Sequence, residues 1–198
     1  SSLMRFFVSP YEAWMYKYLK EVDPDAALED PEDPFMQVAS RKGDTHEEKL
    51  FNDLTDEVDT SIVIVDSDPD DMFAATKEAM RNGVDLIYQG ALKDDIFFGR
   101  ADFLFKVEGH SEFGNYCYEI WDAKLANKSK PQYLLQLCCY SELLCSLQQK
   151  LTPSCVLVYG NSERERFNIE EYFTFYKAIR ELYLNFHDSF QADEQPNP

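Results

Sequence analysis

The sequence predicts a single-domain α/β fold, and three observations lead to that prediction. Segments with the β-branched composition of strands alternate along the chain with segments of helical periodicity. The chain has 198 residues, of which 44% are hydrophobic and 15% aromatic, so it can bury one sizeable core. Two strand-like segments flank a short polar loop that contains glycine, which indicates an antiparallel hairpin. We therefore expect one domain over residues 1–190, followed by a tail or linker at 191–198.

The N-terminal part is predicted to hold one helix and one acidic loop. Residues 1–20 should begin with a short extended segment and continue as a helix, with Ser9 as the N-cap and Pro10 as the first helical residue. Residues 22–34 contain three prolines and six Asp or Glu residues, a composition typical of a loop or mobile linker.

The later elements follow from periodicity and from the residues that end each segment. A helix is predicted over residues 43–57, where Asp44 or Thr45 can act as the N-cap. Residues 60–65 are β-branched and apolar, which predicts a buried strand. Gly99 permits a bulge or kink in the longest strand. Further strands are predicted at 84–88, 95–107, 116–124, 156–160 and 164–168, with a turn at Gln89-Gly90 after the first of them. Further helices are predicted at 70–82, 131–149 and 169–190, and Gly83 should end the first of these.

The composition is strongly acidic, with 37 Asp and Glu residues against 19 Lys and Arg residues and a formal net charge of −18. Phosphate contacts supply most of the affinity of proteins for nucleic acids, so this charge argues against unaided binding of DNA or RNA. The most basic segment is 125–131, where Lys128 and Lys130 follow Lys124. It is either a solvated loop or a phosphate-binding segment. A nucleic-acid function would need this local patch, or help from other parts of a longer protein.

The five cysteines predict buried, reduced thiols. Their number is odd, and no two have the C-x-x-C spacing of zinc sites. Such thiols are typical of an intracellular protein, in the cytoplasm or the nucleus. The sequence shows no signal peptide and no apolar run of the roughly 18 residues that cross a membrane, so we expect no membrane association.

The segment Asp122-Ala123-Lys124 lies at the end of the predicted strand 116–124 and is the most informative stretch of the chain. Because side chains alternate along a strand, Asp122 and Lys124 share one face and Glu119 points to the other. A carboxylate beside an ammonium fits a hydrolytic metal site, in which the carboxylate holds a divalent cation. The alternative is an ordinary same-face ion pair at a strand end.

Four other side chains could belong to the same site. A hairpin would place Asp102 on the strand paired with that of Asp122, where the two carboxylates can converge. His46 is either a solvated histidine in the first turn of its helix or a neutral imidazole bound to a metal. Gln136 and Tyr140 are four residues apart and therefore share one helix face.

These motifs together resemble those of the PD-(D/E)XK nucleases, and most of all the RecB-type branch, which includes the RecB and AddB nuclease domains and the CRISPR-adaptation nucleases. The resemblance covers roughly residues 5–190 and extends to the blocks GRADFL, YEIWDAKLA and KPQYLLQLCCYSELL. The motifs occur in the order Gly43-x-x-His46-Glu47, Gly99-Arg100-x-Asp102, Asp122-x-Lys124 and Gln136-x-x-x-Tyr140.

The resemblance implies a restriction-endonuclease-like core, a mixed sheet with helices on both sides and a metal at the strand ends. His46, Asp102 and Asp122 would bind Mg or Mn, joined by the main-chain carbonyl of Ala123. Lys124 would orient the attacking water or help to deprotonate it.

The same resemblance implies roles for residues around the metal. Gln136 and Tyr140 would position Lys124 or a DNA phosphate. The candidate contacts to the substrate are Arg100, Lys128 and Lys130. Many relatives bind an iron–sulfur cluster through a cysteine triad, but no triad follows Cys155 here, so we expect no cluster.

The expected function is that of a Mg- or Mn-dependent phosphodiesterase acting on DNA, with single strands or ends as the expected substrates. The domain would be the nuclease module of a larger DNA replication or repair protein, with a helicase domain as a possible neighbour in the full-length chain. Two alternatives stay open: a nuclease-like domain that binds a protein partner and no longer cuts, and an RNA nuclease.

Overall fold

A computed structural model describes residues 2–22 and 34–193, with side chains described at 2–22 and 42–193. The described chain has an α/β fold, in which helices flank a six-stranded mixed sheet. The elements in chain order are α1 (Ser2–Val8), α2 (Pro10–Glu21), α3 (Pro34–Thr55), β1 (Ser61–Val63), α4 (Pro69–Arg81), β2 (Leu86–Lys93), β3 (Phe98–Ser111), β4 (Gly114–Lys124), α5 (Pro131–Gln148), β5 (Ser154–Tyr159), β6 (Arg164–Asn168) and α6 (Ile169–Asp188).

The strands lie in the sheet in the same order as in the sequence, from β1 to β6. The pairs β1–β2 and β4–β5 are parallel, and the other three pairs are antiparallel. The β3–β4 hairpin forms the centre, as the sequence predicts. Parallel pairing of β4 with β5 is possible because α5 makes the crossover between them.

Helices cover both faces of the sheet. On one face, Leu50 and Leu54 of α3 pack against Phe103 and Trp121 of the central hairpin. On the other face, α4 and α5 pack directly on the sheet, and α1 and α6 extend the same core outwards. The C-terminal end of β4 therefore lies between helices of both layers. Side chains from α3 on one face and α5 on the other can reach this end of the strand. None of the helices described is both long and apolar enough to span a bilayer.

Several predicted elements are confirmed. Ser9 is the N-cap of α2, where its Oγ accepts a hydrogen bond from the Glu12 N–H at 3.1 Å, and Pro10 is the first helical residue. Gly83 follows the end of α4 with a positive φ of 70°. The predicted helices at 131–149 and 169–190 and the strands at 156–160 and 164–168 agree with α5, α6, β5 and β6 to within a few residues. The cysteine thiols are all free, and only Cys145 is partly accessible.

Other predictions are wrong, and most errors concern where elements begin. Residues 2–8 form a helix where an extended start was expected, and the helix expected at 43–57 begins at Pro34, so Asp44 and Thr45 are not its caps. The predicted loop at 22–34 lies almost entirely outside the described residues, as do the last five residues of the tail.

The strands also differ from their predicted pattern. The strand expected to be buried at 60–65 is an exposed edge, because β2 is its only partner in the part of the chain that the structure describes. The turn expected at Gln89-Gly90 is absent from β2, which continues through it with Gln89 in the left-handed conformation. Gly99 pairs in regular register with Leu92, and the irregularity of β3 lies instead between Glu108 and Ser111.

Candidate functional site

The two aspartates of the sequence motifs meet at one end of the central hairpin. The β3–β4 ladder pairs Phe103 with Trp121, and the next residues are Asp102 and Asp122. Beyond that pair, the Asp102 side chain supplies the next hydrogen-bond acceptor, since its Oδ2 accepts a hydrogen bond from the Ala123 N–H at 2.8 Å. A side-chain carboxylate thus replaces a backbone acceptor where the two strands separate, and it is held beside Asp122.

Asp122 is almost completely buried and lies against Lys124. Its side chain is 1% exposed, and Lys124 Nζ lies 2.5 Å from its Oδ2. That contact has the distance of an ion pair, but neither Asp122 oxygen has a hydrogen-bond partner of adequate geometry. Leaving a buried carboxylate without hydrogen bonds is costly for folding, which is characteristic of functional positions.

A third carboxylate, that of Glu47 on α3, faces the same site. It accepts a hydrogen bond of 2.7 Å from the side-chain amide of Gln89 in β2. Gln89 has a φ of 57°, which is unusual for a residue with a side chain in the middle of a strand. The strained backbone therefore coincides with an amide that holds a carboxylate of the site.

The carboxylates act on one another's ionisation. Burial, and then repulsion from Asp122 and Glu47, holds the pKa of Asp102 well above its usual range. Burial also raises the pKa of Asp122, although Lys124 opposes the shift. The pKa of Glu47 is raised by burial and by Asp122. Three acids with raised pKa values indicate a site with too little positive charge for its carboxylates.

Lys124 supplies part of that charge. Its burial alone would lower its pKa, but the carboxylates of Asp122 and Asp102 outweigh burial and the pKa is raised. The side chain is therefore an ammonium at neutral pH.

Gln136 and Tyr140 reach the site from α5, as their spacing predicts. The Gln136 amide donates a hydrogen bond of 3.0 Å to the Tyr140 hydroxyl. Burial, and then the charges of Asp122 and Asp102, raises the pKa of Tyr140 to about 12, so this hydroxyl stays protonated. The Tyr140 ring packs on Gly99, where an added Cβ would lie 2.5 Å from Tyr140 Cε1. The glycine of the G-R-x-D motif thus makes room for the tyrosine of the Q-x-x-x-Y motif.

His46 is the predicted site residue that the structure connects least to the others. Its Nε2 is buried and has no hydrogen-bond partner, but no contact with Asp102 or Asp122 is found in the described residues. Its neighbour Glu47 makes that connection instead. Glu47 belongs to the Gly43-x-x-His46-Glu47 motif, but it ranks behind His46 as a sequence-based candidate, since spacing alone gave no reason to prefer the carboxylate as a ligand.

The predicted substrate residues divide into two groups. Lys130 is the N-cap of α5, and its Nζ lies 5.7 Å from the centre of the Tyr133 ring. Lys124 Nζ lies 5.4 Å from the same ring, so Tyr133 joins these two cations. Lys128 is exposed nearby in the chain, whereas Arg100 pairs with Asp66 at 3.4 Å. Tyr133 was not singled out by sequence reasoning.

The prediction that Glu119 faces away from the site is confirmed. Its carboxylate lies on the opposite face of β4 and accepts hydrogen bonds from the side chains of Trp121, Ser154 and Arg166. This buried acid is fully paired, in contrast to Asp122.

The donor chemistry of the site fits a hard divalent cation such as Mg or Mn, because the available groups are carboxylate oxygens with one imidazole nearby. Among the buried side-chain atoms without a hydrogen-bond partner are both oxygens of Asp122 and Nε2 of His46, which are of the types that bind such a cation. Over residues 2–22 and 34–193, however, no three His, Cys, Asp or Glu side chains stand close enough together to hold a metal ion as they are. The ammonium of Lys124 provides the positive charge beside Asp122 in this arrangement.

Comparison with known proteins does not extend these findings, since no family model matches the chain and no curated protein is significantly similar to it.

Proposed function

We propose that the protein is a metal-dependent DNA nuclease that hydrolyses phosphodiester bonds, with a restriction-endonuclease-like core of the RecB type. The observation that carries the proposal is the meeting of Asp102, Asp122 and Lys124 at one sheet end, with both Asp122 oxygens lacking hydrogen bonds. Groups that are distant in the sequence and costly to bury together have a ready explanation in a shared chemical task.

In this proposal, Asp102 and Asp122 hold Mg or Mn, and Glu47 or His46 completes the set from α3. The main-chain carbonyl of Ala123 is a further candidate ligand. When bound, the cation would lower the pKa of a water molecule and neutralise the charge that develops on the phosphate. The Ala123 N–H supports this arrangement because it fixes the Asp102 carboxylate beside Asp122.

Lys124 has the role of a fixed positive charge. Its raised pKa makes it a poor proton acceptor at neutral pH, which favours orientation of water or phosphate over deprotonation. The Tyr140 hydroxyl is protonated and accepts a hydrogen bond from the Gln136 amide. Its own O–H can therefore donate to a phosphate oxygen or to an oxygen of the site. The Gln136–Tyr140 pair positions these groups from the α5 side.

The substrate would enter along the segment that follows β4. Between Asp122 and Glu142 the chain contains three lysines and no acid, although the chain as a whole is strongly acidic. Lys124, Lys128 and Lys130 belong to this segment, and Tyr133 offers a ring beside two of them. Cations beside an aromatic ring suit single-stranded nucleic acid, whose bases can stack. We regard DNA strands or ends as the substrate and a larger intracellular replication or repair protein, with a helicase domain as a possible neighbour, as the context.

The test is cleavage of end-labelled single-stranded and duplex DNA, with RNA in parallel, in the presence of Mg or Mn. We expect cleavage to leave 5′-phosphates and to need the added cation. Asp122→Ala and Lys124→Ala should each reduce the rate by roughly 10²–10⁴-fold, because each removes a charge that acts on the reacting phosphate.

The matched control is Glu119→Gln, which changes a buried acid of the same strand on the opposite face. It should retain cleavage. Cleavage that persists unchanged in both Asp122→Ala and Lys124→Ala would refute the assigned site. Cleavage of RNA but not of DNA would show that the protein is an RNA nuclease.

A second function, protein binding by a domain that no longer cuts, is favoured by the net charge of −18. It predicts that Mn leaves the melting temperature unchanged. The same site geometry argues against it, because three carboxylates with raised pKa values around one ammonium are costly to keep in a domain that has no use for a cation.

A further inference from the structure

The β1 edge of the sheet has open hydrogen-bonding groups. Among residues 2–22 and 34–193, β1 pairs only with β2, and it is the first strand of the sheet order. Thr60 O accepts from Leu86 N–H, and Ile64 N–H donates to Tyr88 O, so the even-numbered residues face β2. Successive residues of a strand direct their backbone groups to opposite sides. The N–H and C=O groups of Ser61, Val63 and Val65 therefore point away from the sheet.

This edge is also apolar. Val63 is 46% exposed and Val65 75% exposed on one face of the strand, and Ile62 is 39% exposed on the other. Ile64 is buried and anchors the strand to the core. Native proteins usually protect an edge strand with charged residues or proline, and neither occurs at residues 61–65.

The opposite edge of the same sheet is protected. β6 carries Arg164, Glu165 and Arg166 in succession, all exposed. Arg164 pairs with Glu57, and Arg166 pairs with Glu119. Charged residues in succession protect an edge strand against pairing with another strand, so of the two edges of the described sheet β1 is better suited to accept one.

The flanks of β1 carry a strong negative charge. Residues 56–71 contain seven acids and no lysine or arginine. Three of these acids have cationic partners elsewhere in the fold, since Glu57, Asp66 and Asp70 pair with Arg164, Arg100 and Lys93. In the part of the chain described, Asp56, Asp59 and Asp71 have no ion pair. The apolar edge is thus bordered by negative charge on both sides.

We propose that the β1 edge binds an extended segment of a partner polypeptide, in which apolar residues are flanked by lysine or arginine. The segment adds a seventh strand, its backbone pairs with Ser61, Val63 and Val65, and its basic flanks face the acids of residues 56–71. A second copy of this chain is a poor occupant, because pairing of two β1 edges would bring the seven acids of residues 56–71 in one copy against the same seven in the other. The interaction uses none of the site residues and does not depend on the nuclease proposal.

The test uses a fluorescent peptide in which valine and threonine alternate between lysine pairs, titrated into the full chain and followed by anisotropy. We expect saturable binding that weakens as salt is added, and slower amide exchange at Val63 and Val65. Val63→Pro removes an N–H that points away from β2 and should weaken binding by about tenfold or more. Val63→Thr keeps that N–H and the β-branched shape, so it should bind within about twofold of the wild type.

Two peptide variants keep the test independent of how Val63→Pro folds. N-methylation of alternate peptide residues removes the donors that would pair with the edge and should abolish binding. Replacing the lysines by glutamates should abolish it as well, because of repulsion from residues 56–71. Equal binding of the acidic peptide, or equal binding by Val63→Pro that melts like the wild type, would overturn the proposal. A dimer that Val63→Pro dissociates would identify a second copy as the occupant and would also overturn it.

Discussion

Two buried acids lie three residues apart on β4, and their surroundings differ completely. Glu119 accepts hydrogen bonds from three side chains, including both terminal nitrogens of Arg166. Asp122, on the other face, has the ammonium of Lys124 and the carboxylate of Asp102 close by, and neither of its oxygens has a hydrogen bond of adequate geometry. One carboxylate joins β4, β5 and β6 through its hydrogen bonds, whereas the other is buried near two further carboxylates with one ammonium beside it.

The difference teaches how to separate structural from functional acids within one strand. A structural acid is matched by donors in the folded protein itself, so its removal leaves those donors unpaired and costs stability. A functional acid keeps unpaired oxygens, and its neighbours repel it, as Glu47 and Asp102 do here. Removal of the structural acid should therefore cost more stability than removal of an acid of the site.

The largest expected effect on stability is that of Glu119→Ala. It leaves Trp121 Nε1 and Ser154 Oγ without their acceptor and removes the partner of Arg166, which is 55% exposed and can be solvated. We expect the free energy of unfolding to fall by roughly 2–4 kcal/mol, measured by urea denaturation. Asp122→Ala should cost less, because the loss of the Lys124 pair is offset by the loss of repulsion on Asp102 and Glu47. An equal loss in both variants would mean that the two acids are not different in kind.

A smaller effect of opposite sign is expected for Asp102→Asn. The amide oxygen can still accept from the Ala123 N–H, while the repulsion from Asp122 and Glu47 disappears. Without added metal, the variant should be more stable than the wild type by roughly 1–2 kcal/mol. A melting curve in chelator measures the change, and a lower melting temperature than that of the wild type would contradict it. Cleavage should be lost in the same variant.

The gain from Asp102→Asn should depend on pH. The folded state raises the pKa of Asp102 above 3.8, so the penalty for its charge is absent below pH 3.8 and complete above the raised pKa. Between these values the folded wild type binds more protons than the unfolded chain, and its stability falls as pH rises. The stability difference between variant and wild type should therefore grow with pH from a small value near pH 4. A difference that is constant with pH would show that charge is not its cause.

The smallest effect is expected for Gln89→Gly, which concerns how Glu47 is held. Glycine adopts a positive φ without strain, so the substitution should leave folding intact or improve it slightly. It removes the amide that donates to Glu47. We expect cleavage to fall by about three- to tenfold, and Gln89→Asn, which tolerates the left-handed conformation and keeps a shorter amide, to recover part of the loss. Unchanged cleavage by Gln89→Gly would show that the Gln89 amide does not position Glu47 for the reaction.

The sequence predicts much of this arrangement because the relevant rules are local. Strand alternation separates Glu119 from Asp122, a hairpin brings Asp102 beside Asp122, and helical spacing brings Gln136 to Tyr140. Whether Glu47 or His46 faces the two aspartates depends on how α3 is rotated about its axis against the sheet, and tertiary packing decides that rotation. The left-handed Gln89 and the exposure of β1 likewise depend on neighbours that are distant in the chain, so periodicity alone predicted a turn and a buried strand.

Calorimetric titration of Mn into the wild type, Asp122→Asn and Glu119→Gln tests the central claim most directly, since the two substitutions neutralise buried acids on opposite faces of β4. The account predicts saturable Mn binding to the wild type and to Glu119→Gln, and loss of that binding in Asp122→Asn. Equal binding of Mn by all three proteins, or loss only in Glu119→Gln, would contradict a cation site at Asp122.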